Sequence, residues 1–519
     1  MSETKVEQNK FVERSHEEIM VIMVALMLAM LLAALDQTIV ATALPRIATD
    51  LHGLNKLSWV ATAYLLTSAV ATPLYGKISD QFGRKRIFMF AIGLFLVGSM
   101  LCGQARSMDE LVGFRALQGI GAGGLISLSM TIIGDIVSPR QRGKYLGYLG
   151  GVFAISSIAG PLLGGFFTDS LSWRWIFYIN VPLGIIALVT IATRLNLPAK
   201  KIDRHIDYFG AVLLAAATVP IILGTVFGGV TYPWGSTTEI GLFGGGIIAS
   251  ILFVLWERRA GKEAIIPMHL FRNPIFSISI ILSLLAGIAM FAAILFIPEY
   301  QQIVRGYSAT KSGLLLLPLV LGLLVALTTT GRLTTKFGRY KIFPIIGTLI
   351  TALGLFLFSH LTLKTTQLQL SIWMVVLGLG IGSFLQIMTL AVQNSSPREE
   401  LGVATATATF FRSMGSALGG AIFGAILTNR LAVHLKQLLP PIHGGESVPI
   451  NSSSIQTGAV GHISSLPAPL SHDIFQAFVL SFRDMFLLAI PVVLLAFVFA
   501  LFLKEIPLRT SNAHVPKDI

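Results

Sequence analysis

Cysteine occurs once in the 519 residues, at Cys102. A single thiol excludes an intrachain disulfide and a thiolate metal cluster. Charge is nearly as scarce: 12% of residues are Asp, Glu, Lys or Arg, while 54% are apolar. A soluble domain carries about 25% charged residues, so this chain lacks the polar surface a soluble fold needs. His434, His443, His462 and His472 are scattered without the spacing of metal ligands. No phosphate-binding loop or catalytic triad can be assembled from the residues in sequence. That argues against an enzyme, against direct drive by ATP and against any cofactor.

What is present is a series of apolar runs. About 20 such residues cross a bilayer as a helix. Runs of this kind lie at about 19–44, 57–75, 87–104 and 111–133, then in a fifth ending near 169, then at 175–194, 208–228, 239–256, 274–298, 311–330, 342–360, 370–392, 403–428 and 484–503. The reading is an all-α polytopic membrane protein with 14 spans, embedded in the plasma (inner) membrane. Residues 1–18 are polar and the first run carries no small-residue cleavage site. It is therefore expected to stay as the first span, with the amino terminus inside.

The formal charge of +13 would suggest a nucleic-acid partner in a soluble chain. Here most Lys and Arg fall in alternate loops, which is how cytoplasmic loops are marked. Both termini are then cytoplasmic and no nucleic acid is needed. The densest charged loop is Gly76-Lys77-Ile78-Ser79-Asp80-Gln81-Phe82-Gly83-Arg84-Lys85-Arg86. A degraded copy follows at Gly331-Arg332-Leu333-Thr334-Thr335-Lys336-Phe337-Gly338-Arg339-Tyr340-Lys341, with Thr335 where the first copy has Asp80. Ser138-Pro139-Arg140 recurs as Ser396-Pro397-Arg398, and Gly160, Gly164 and Gly165 recur as Gly415, Gly419 and Gly420. Two parallel six-span bundles follow from this, at 19–194 and 274–503. An inserted pair of spans with basic linkers occupies 195–273, a Ser- and Pro-rich external segment 429–475, and polar tails 1–18 and 504–519. Parallel halves related about the membrane normal are a transporter architecture, with the substrate path between them.

Several motifs carry a family likeness. The first charged loop resembles the signature loop of the major facilitator superfamily. Leu35-Asp36-Gln37-Thr38-Ile39-Val40-Ala41-Thr42-Ala43-Leu44-Pro45 resembles the first-span signature of its fourteen-helix drug:proton antiporters, which more often have Asn at the place of Ala41. Arg115-Ala116-Leu117-Gln118-Gly119-Ile120-Gly121 is similar to the fourth-span motif, and Gly160-Pro161-Leu162-Leu163-Gly164-Gly165 to the antiporter motif of the fifth. Trp173-Arg174-Trp175-Ile176-Phe177-Tyr178-Ile179-Asn180-Val181-Pro182 fits the same family. The resemblance implies a major facilitator fold and proton-driven efflux of lipophilic, often cationic compounds. The coupling ion would be the proton, and the partners a small molecule and the bilayer. A monomer is expected.

Ionisable residues inside spans are expensive and mark functional positions. Asp36 lies in the outer part of the first span and Arg115 at a similar depth in the fourth. Burial favours a neutral carboxyl and a nearby cation favours the charged one. An acid between these influences can take up a proton in one conformation and release it in another, so Asp36 and Arg115 are the proton-coupling candidates. Asp80, Arg84 and Asp135 meet at the cytoplasmic face as a candidate latch, with Gly76 and Gly83 permitting close approach. Gly160 and Pro161 can bend the fifth span, and Gly160, Gly164 and Gly165 offer a small-residue packing face. Glu299, Gln386 and Arg412 are candidates for the substrate path; Arg412 either pairs with a polar group such as Gln386 or Gln393 or lies near the cytoplasmic mouth. Two other readings stay open: export of an endogenous lipid or envelope precursor, and a membrane sensor that transports nothing.

Overall fold

The computed structural model describes residues 15–53, 56–195, 206–229, 231–261, 263–438 and 468–508. Local chemistry sets the helix starts. Ser15, Ser107, Ser236 and Ser308 accept backbone N–H groups at the amino ends of four helices, and Thr366 with Gln369 forms a reciprocal cap at a fifth. The helices of the first half are α1 (His16–Asp50), α2 (Leu57–Phe82), α3 (Arg84–Gln104), α4 (Met108–Ile136), α5 (Pro139–Ser170), α6 (Trp175–Tyr178) and α7 (Asn180–Arg194). Then come α8 (Tyr208–Phe227) and α9 (Thr237–Ala260). The second half holds α10 (Pro274–Ile303), α11 (Ala309–Leu314), α12 (Leu317–Phe337), α13 (Ile342–Phe358), α14 (Gln367–Ser395), α15 (Leu401–Leu438) and α16 (Ala468–Phe502).

Among the described residues 13 segments are long and apolar enough to cross a membrane, with α6–α7 and α11–α12 each forming one broken span. The apolar α13, with 17 residues, supplies one more. At 1.5 Å per residue it reaches about 26 Å, close to the hydrocarbon thickness. The tenth span breaks ahead of Pro318, which sits in the first turn of α12 where its missing N–H costs nothing.

Three boundaries depart from the sequence reading. The charged segment 76–86 is no extended loop: α2 runs to Phe82, α3 begins at Arg84, and Gly83 alone turns the chain with φ 97°. Gly338 does the same after α12 with φ 69°. The first span is longer at both ends than 19–44. The external segment also yields residues to helices. The Ser- and Pro-rich composition of 429–475 set the span's end near 428, yet α15 continues to Leu438 and α16 already starts at Ala468. Leu427, Leu431 and Leu435 keep a helical stripe that packs in the same core as Ile474, Ala477 and Phe478. Asp484 accepts from His434 at 3.0 Å across the two helices. The linker cations Lys200, Lys201 and Arg204, and His443, Asn451 and His462, lie outside the described residues.

The packing repeats as the motifs do. α1 lies on α5 as α10 lies on α15; α2 and α3 flank α4 as α12 and α13 flank α14. Gly160 and Gly164 admit Thr38 and Thr42 of α1, while Gly415 and Gly419 admit the backbone of α10 at Leu284 and Ile288. The halves meet along two seams, α2 with α15 and α5 with α12. The inserted α8 covers only the first. Its Leu214 packs with Phe410 and Leu74, and its Ile222 with Leu66, Ala69 and Met414. α9 packs on α8 and leaves Ile240, Ile247, Ile248 and Ile251 exposed, as a lipid-facing helix would.

Candidate functional site: a buried ion pair and an interhelical latch

Asp36 and Arg115 meet inside the first half. Arg115 Nη1 donates to Asp36 Oδ2 at 2.5 Å, and the two residues are 0% and 2% exposed. Further bonds hold both groups. Gln118, one turn along α4, accepts from Arg115 Nη1 at 2.7 Å and donates to Asp36 Oδ1 at 2.9 Å. Asn180 Nδ2, at the break between α6 and α7, reaches Asp36 Oδ1 at 3.5 Å and Ser99 Oγ at 3.0 Å. Arg115 Nε donates to the Val60 carbonyl at 3.2 Å, and the guanidinium lies 4.2 Å from the centre of the Tyr64 ring. Residues of five helices, α1, α2, α3, α4 and α7, therefore join one network around the pair. Spatial pairing of Asp36 with Arg115 matches their similar depth in sequence. Gln118, Asn180, Ser99 and Tyr64 were not picked out, although Gln118 and Asn180 lie inside motifs already quoted.

The pair is linked onward to α5. Thr38, half a turn past Asp36, donates to the Ser156 carbonyl at 2.9 Å, and Gly160 sits directly against the same threonine. Pro161 in turn faces Gly313 of α11 in the other half, 3.2 Å from where a Cβ would stand. Gly165 has only Thr310 within reach, at 4.0 Å. Gly160→Leu is expected to lower the melting temperature by several degrees, because overpacking costs about 1–3 kcal/mol. Gly165→Leu is expected to leave it unchanged. Thermal denaturation in detergent compares the two.

The second cluster lies at the charged-loop face. Arg84 pairs with Asp80 one turn away and with Asp135 of α4 through Nε at 2.8 Å, and takes Ser79 Oγ at 2.8 Å. Arg84 and Asp135 stay within the first half. The bonds across the halves belong to Asp80, whose two oxygens accept from the backbone N–H groups of Gly402 at 3.1 Å and Val403 at 2.9 Å. These are free donors in the first turn of α15, where the helix dipole favours an anion. Gly76 lets the helices close: a Cβ there would stand 2.5 Å from that of Ala406. In the second copy the polarity of the contact is reversed. Thr335 contributes its carbonyl, which accepts from Arg140 of the first half at 3.0 Å, and the Lys336 carbonyl accepts from the same guanidinium at 3.0 Å. Gln393 completes the closure, donating to the Met130 carbonyl at 3.0 Å and to Thr405 Oγ1 at 3.2 Å.

Of the remaining candidates, Glu299 is partly buried within α10, which continues to Ile303 rather than ending near it. Of the two readings of Arg412, pairing with Gln386 or Gln393 is not made: Gln393 is taken by Met130 and Thr405, and Gln386 Oε1 is buried without a partner.

The family model described as Major Facilitator Superfamily matches residues 26–210 and 207–420. The chain is 36% identical over 499 residues to Multidrug resistance protein 3 of Bacillus subtilis (strain 168), covering 96% of this chain and 97% of that one. It is 43% identical over 498 residues to an uncharacterized MFS-type transporter of Mycobacterium tuberculosis (strain ATCC 25618 / H37Rv), covering 96% and 71%. Among solved structures, the crystal structure of the human organic anion transporter MFSD10 (TETRAN) superposes with a TM-score of 0.63 at 14% identity, over 94% of this chain and 100% of that one, a likeness of fold alone. The repeated bundles, the seams between them and the matched length lead to one conclusion: this chain belongs to the Major Facilitator Superfamily and is a multi-pass membrane transporter, not an enzyme.

Proposed function

We propose that this transporter is a proton-coupled exporter of lipophilic, often cationic compounds, working by alternating access with both termini in the cytoplasm. One observation carries the reading: a carboxylate with no exposed surface, paired to a guanidinium inside a bundle and held by neutral amides. A proton arriving from outside removes the charge that Arg115 pairs with. Gln118 and Asn180 keep hydrogen-bonding partners for the neutral carboxyl, so the acid is tolerated in both forms. Breaking a buried pair is worth about 3–5 kcal/mol. A charge crossing 100 mV supplies about 2.3 kcal/mol, so one or two protons match the task.

The relief passes along contacts already described. α1 moves against α4, Thr38 carries α5, and Pro161 carries the opposite half. The latch of Asp80 on α15 then opens, and the seams at the cytoplasmic face part. The relatives point the same way on cargo, since Multidrug resistance protein 3 and Multidrug transporter protein MdtP of Bacillus subtilis carry that role in their names. The direct test uses purified protein in proteoliposomes loaded with a lipophilic dye. An imposed pH difference is expected to drive dye movement. Continued pumping after the pH difference and the voltage are both clamped to zero would remove the reading.

A further inference from the structure

Thr405 and Gln393 mark a level at which α4, α14 and α15 meet on the axis between the halves. Seven residues along a helix return to nearly the same face, about 10 Å further on. On α15 that step leads from Thr405 to Arg412; on α14, which runs the opposite way, it leads from Gln393 to Gln386. Arg412 and Gln386 therefore share a depth, near the middle of the membrane, on stripes that face the axis. Gln386 is 5% exposed and its Oε1 has no partner. Arg412 is partly buried, and among the described residues its guanidinium makes no ion pair and no hydrogen bond.

Among the described residues no acid forms an ion pair with it. Asp36 is held by Arg115, and Asp80 and Asp135 hold Arg84. Glu299 is on α10, whose Gly287 touches the Arg412 backbone. Twelve residues separate that contact from Glu299, about 18 Å along the helix. Glu239 and Glu257 belong to the peripheral α9. An unpaired arginine at mid-membrane is costly, and such residues face a path or a partner. Among the described residues its charge is left without a compensating anion.

We propose that Arg412 and Gln386 form a recognition site for an acidic group on the cargo, so that the exported compounds include lipophilic anions or zwitterions bearing a carboxylate, phosphate or sulfonate. This rests on the export reading and narrows its substrate class. The guanidinium takes the acidic oxygens through its planar fork, and Gln386 Oε1 accepts from a neighbouring N–H or O–H of the same molecule. A cation without an acidic group meets uncompensated positive charge at this level.

Rhodamine B, a lipophilic zwitterion with a free carboxylate, and its methyl ester separate the possibilities. Binding to the full-length protein in nanodiscs is read by fluorescence anisotropy. The zwitterion is expected to bind about tenfold more tightly than the ester, the scale of a hydrogen-bonded charge. Arg412→Gln erases that preference, and Arg412→Lys keeps part of it. Gln386→Leu weakens the zwitterion severalfold with the arginine intact, and decides the matter should Arg412→Gln not fold. Equal binding of both probes by the unaltered protein, or equal losses for both in Arg412→Gln or Gln386→Leu, overturns the proposal. Proton-driven efflux of the ester is scored separately: if it persists without any carboxylate preference, export stands and the acid site falls.

Discussion

Asp36→Asn is expected to cut pH-driven dye efflux by about 10²–10⁴-fold, the rate equivalent of the 3–5 kcal/mol held in a buried ion pair. The asparagine has the volume of the aspartate, and its single side-chain oxygen still accepts from Arg115, so the bundle folds. What it loses is the capacity to exchange a proton. The loss should therefore be selective. Cargo binding, and exchange of labelled for unlabelled cargo at equal pH on both sides, survive, because neither needs net proton movement. Asp36→Glu restores part of the efflux, since a carboxyl returns in a crowded place. If Asp36→Asn loses binding and exchange together with efflux, the acid is a structural element and the coupling role is wrong. The same measurement on Gln118→Leu separates coupling from support: that variant keeps the acid but strips one of its amide partners, and is expected to retain efflux at reduced rate.

The second large effect is expected at the latch. Among the described residues Asp80 is the one side chain whose carboxylate oxygens bridge the halves at the free N–H groups of α15. An anion at a partly buried helix amino end is worth up to about 2 kcal/mol, and Asp80→Asn also weakens the pairing with Arg84. Together these shift the equilibrium toward the form open at the cytoplasmic face by at least about tenfold. A reporter is available because Cys102 is the only native thiol and is buried. Thr409→Cys places a near-isosteric thiol at a buried position on α15, one turn beyond Thr405. Its labelling by a polar maleimide should accelerate about tenfold in the Asp80→Asn background. Thr335→Ala should leave it unchanged, since that residue offers only its carbonyl to Arg140. Unchanged labelling in Asp80→Asn would mean that the seam is held elsewhere, for instance by Gln393 and Arg140.

Particular residues show how far the amino acids alone reached. The spans were legible because hydrocarbon imposes length and excludes charge, and the repeat was legible because its glycines and charged turns recur in step. Asp36 and Arg115 could be matched because charges at equal depth have few alternatives. Their amide partners could not. Polar uncharged residues fill these helices, and most, such as Thr62 and Ser127, bond only to their own helix backbone. Nothing in the residue type distinguishes Gln118 or Asn180 from these. The cross-half partner of Asp80 escaped for a different reason: it is backbone, and backbone donors have no sequence signature. Composition misled after Thr428, where an amphipathic stripe outlasted the apolar run. At Arg412 a polar group on the neighbouring helix, Gln386, suggested a bond that the side chains do not make.

The central claim is that Asp36 exchanges a proton as cargo and conformation change. Proton release on cargo binding tests it most directly, measured with a pH indicator in weakly buffered detergent solution of the purified protein. A saturating dye is expected to release close to one proton per molecule from the unaltered chain and none from Asp36→Asn. Equal release from both would contradict the claim.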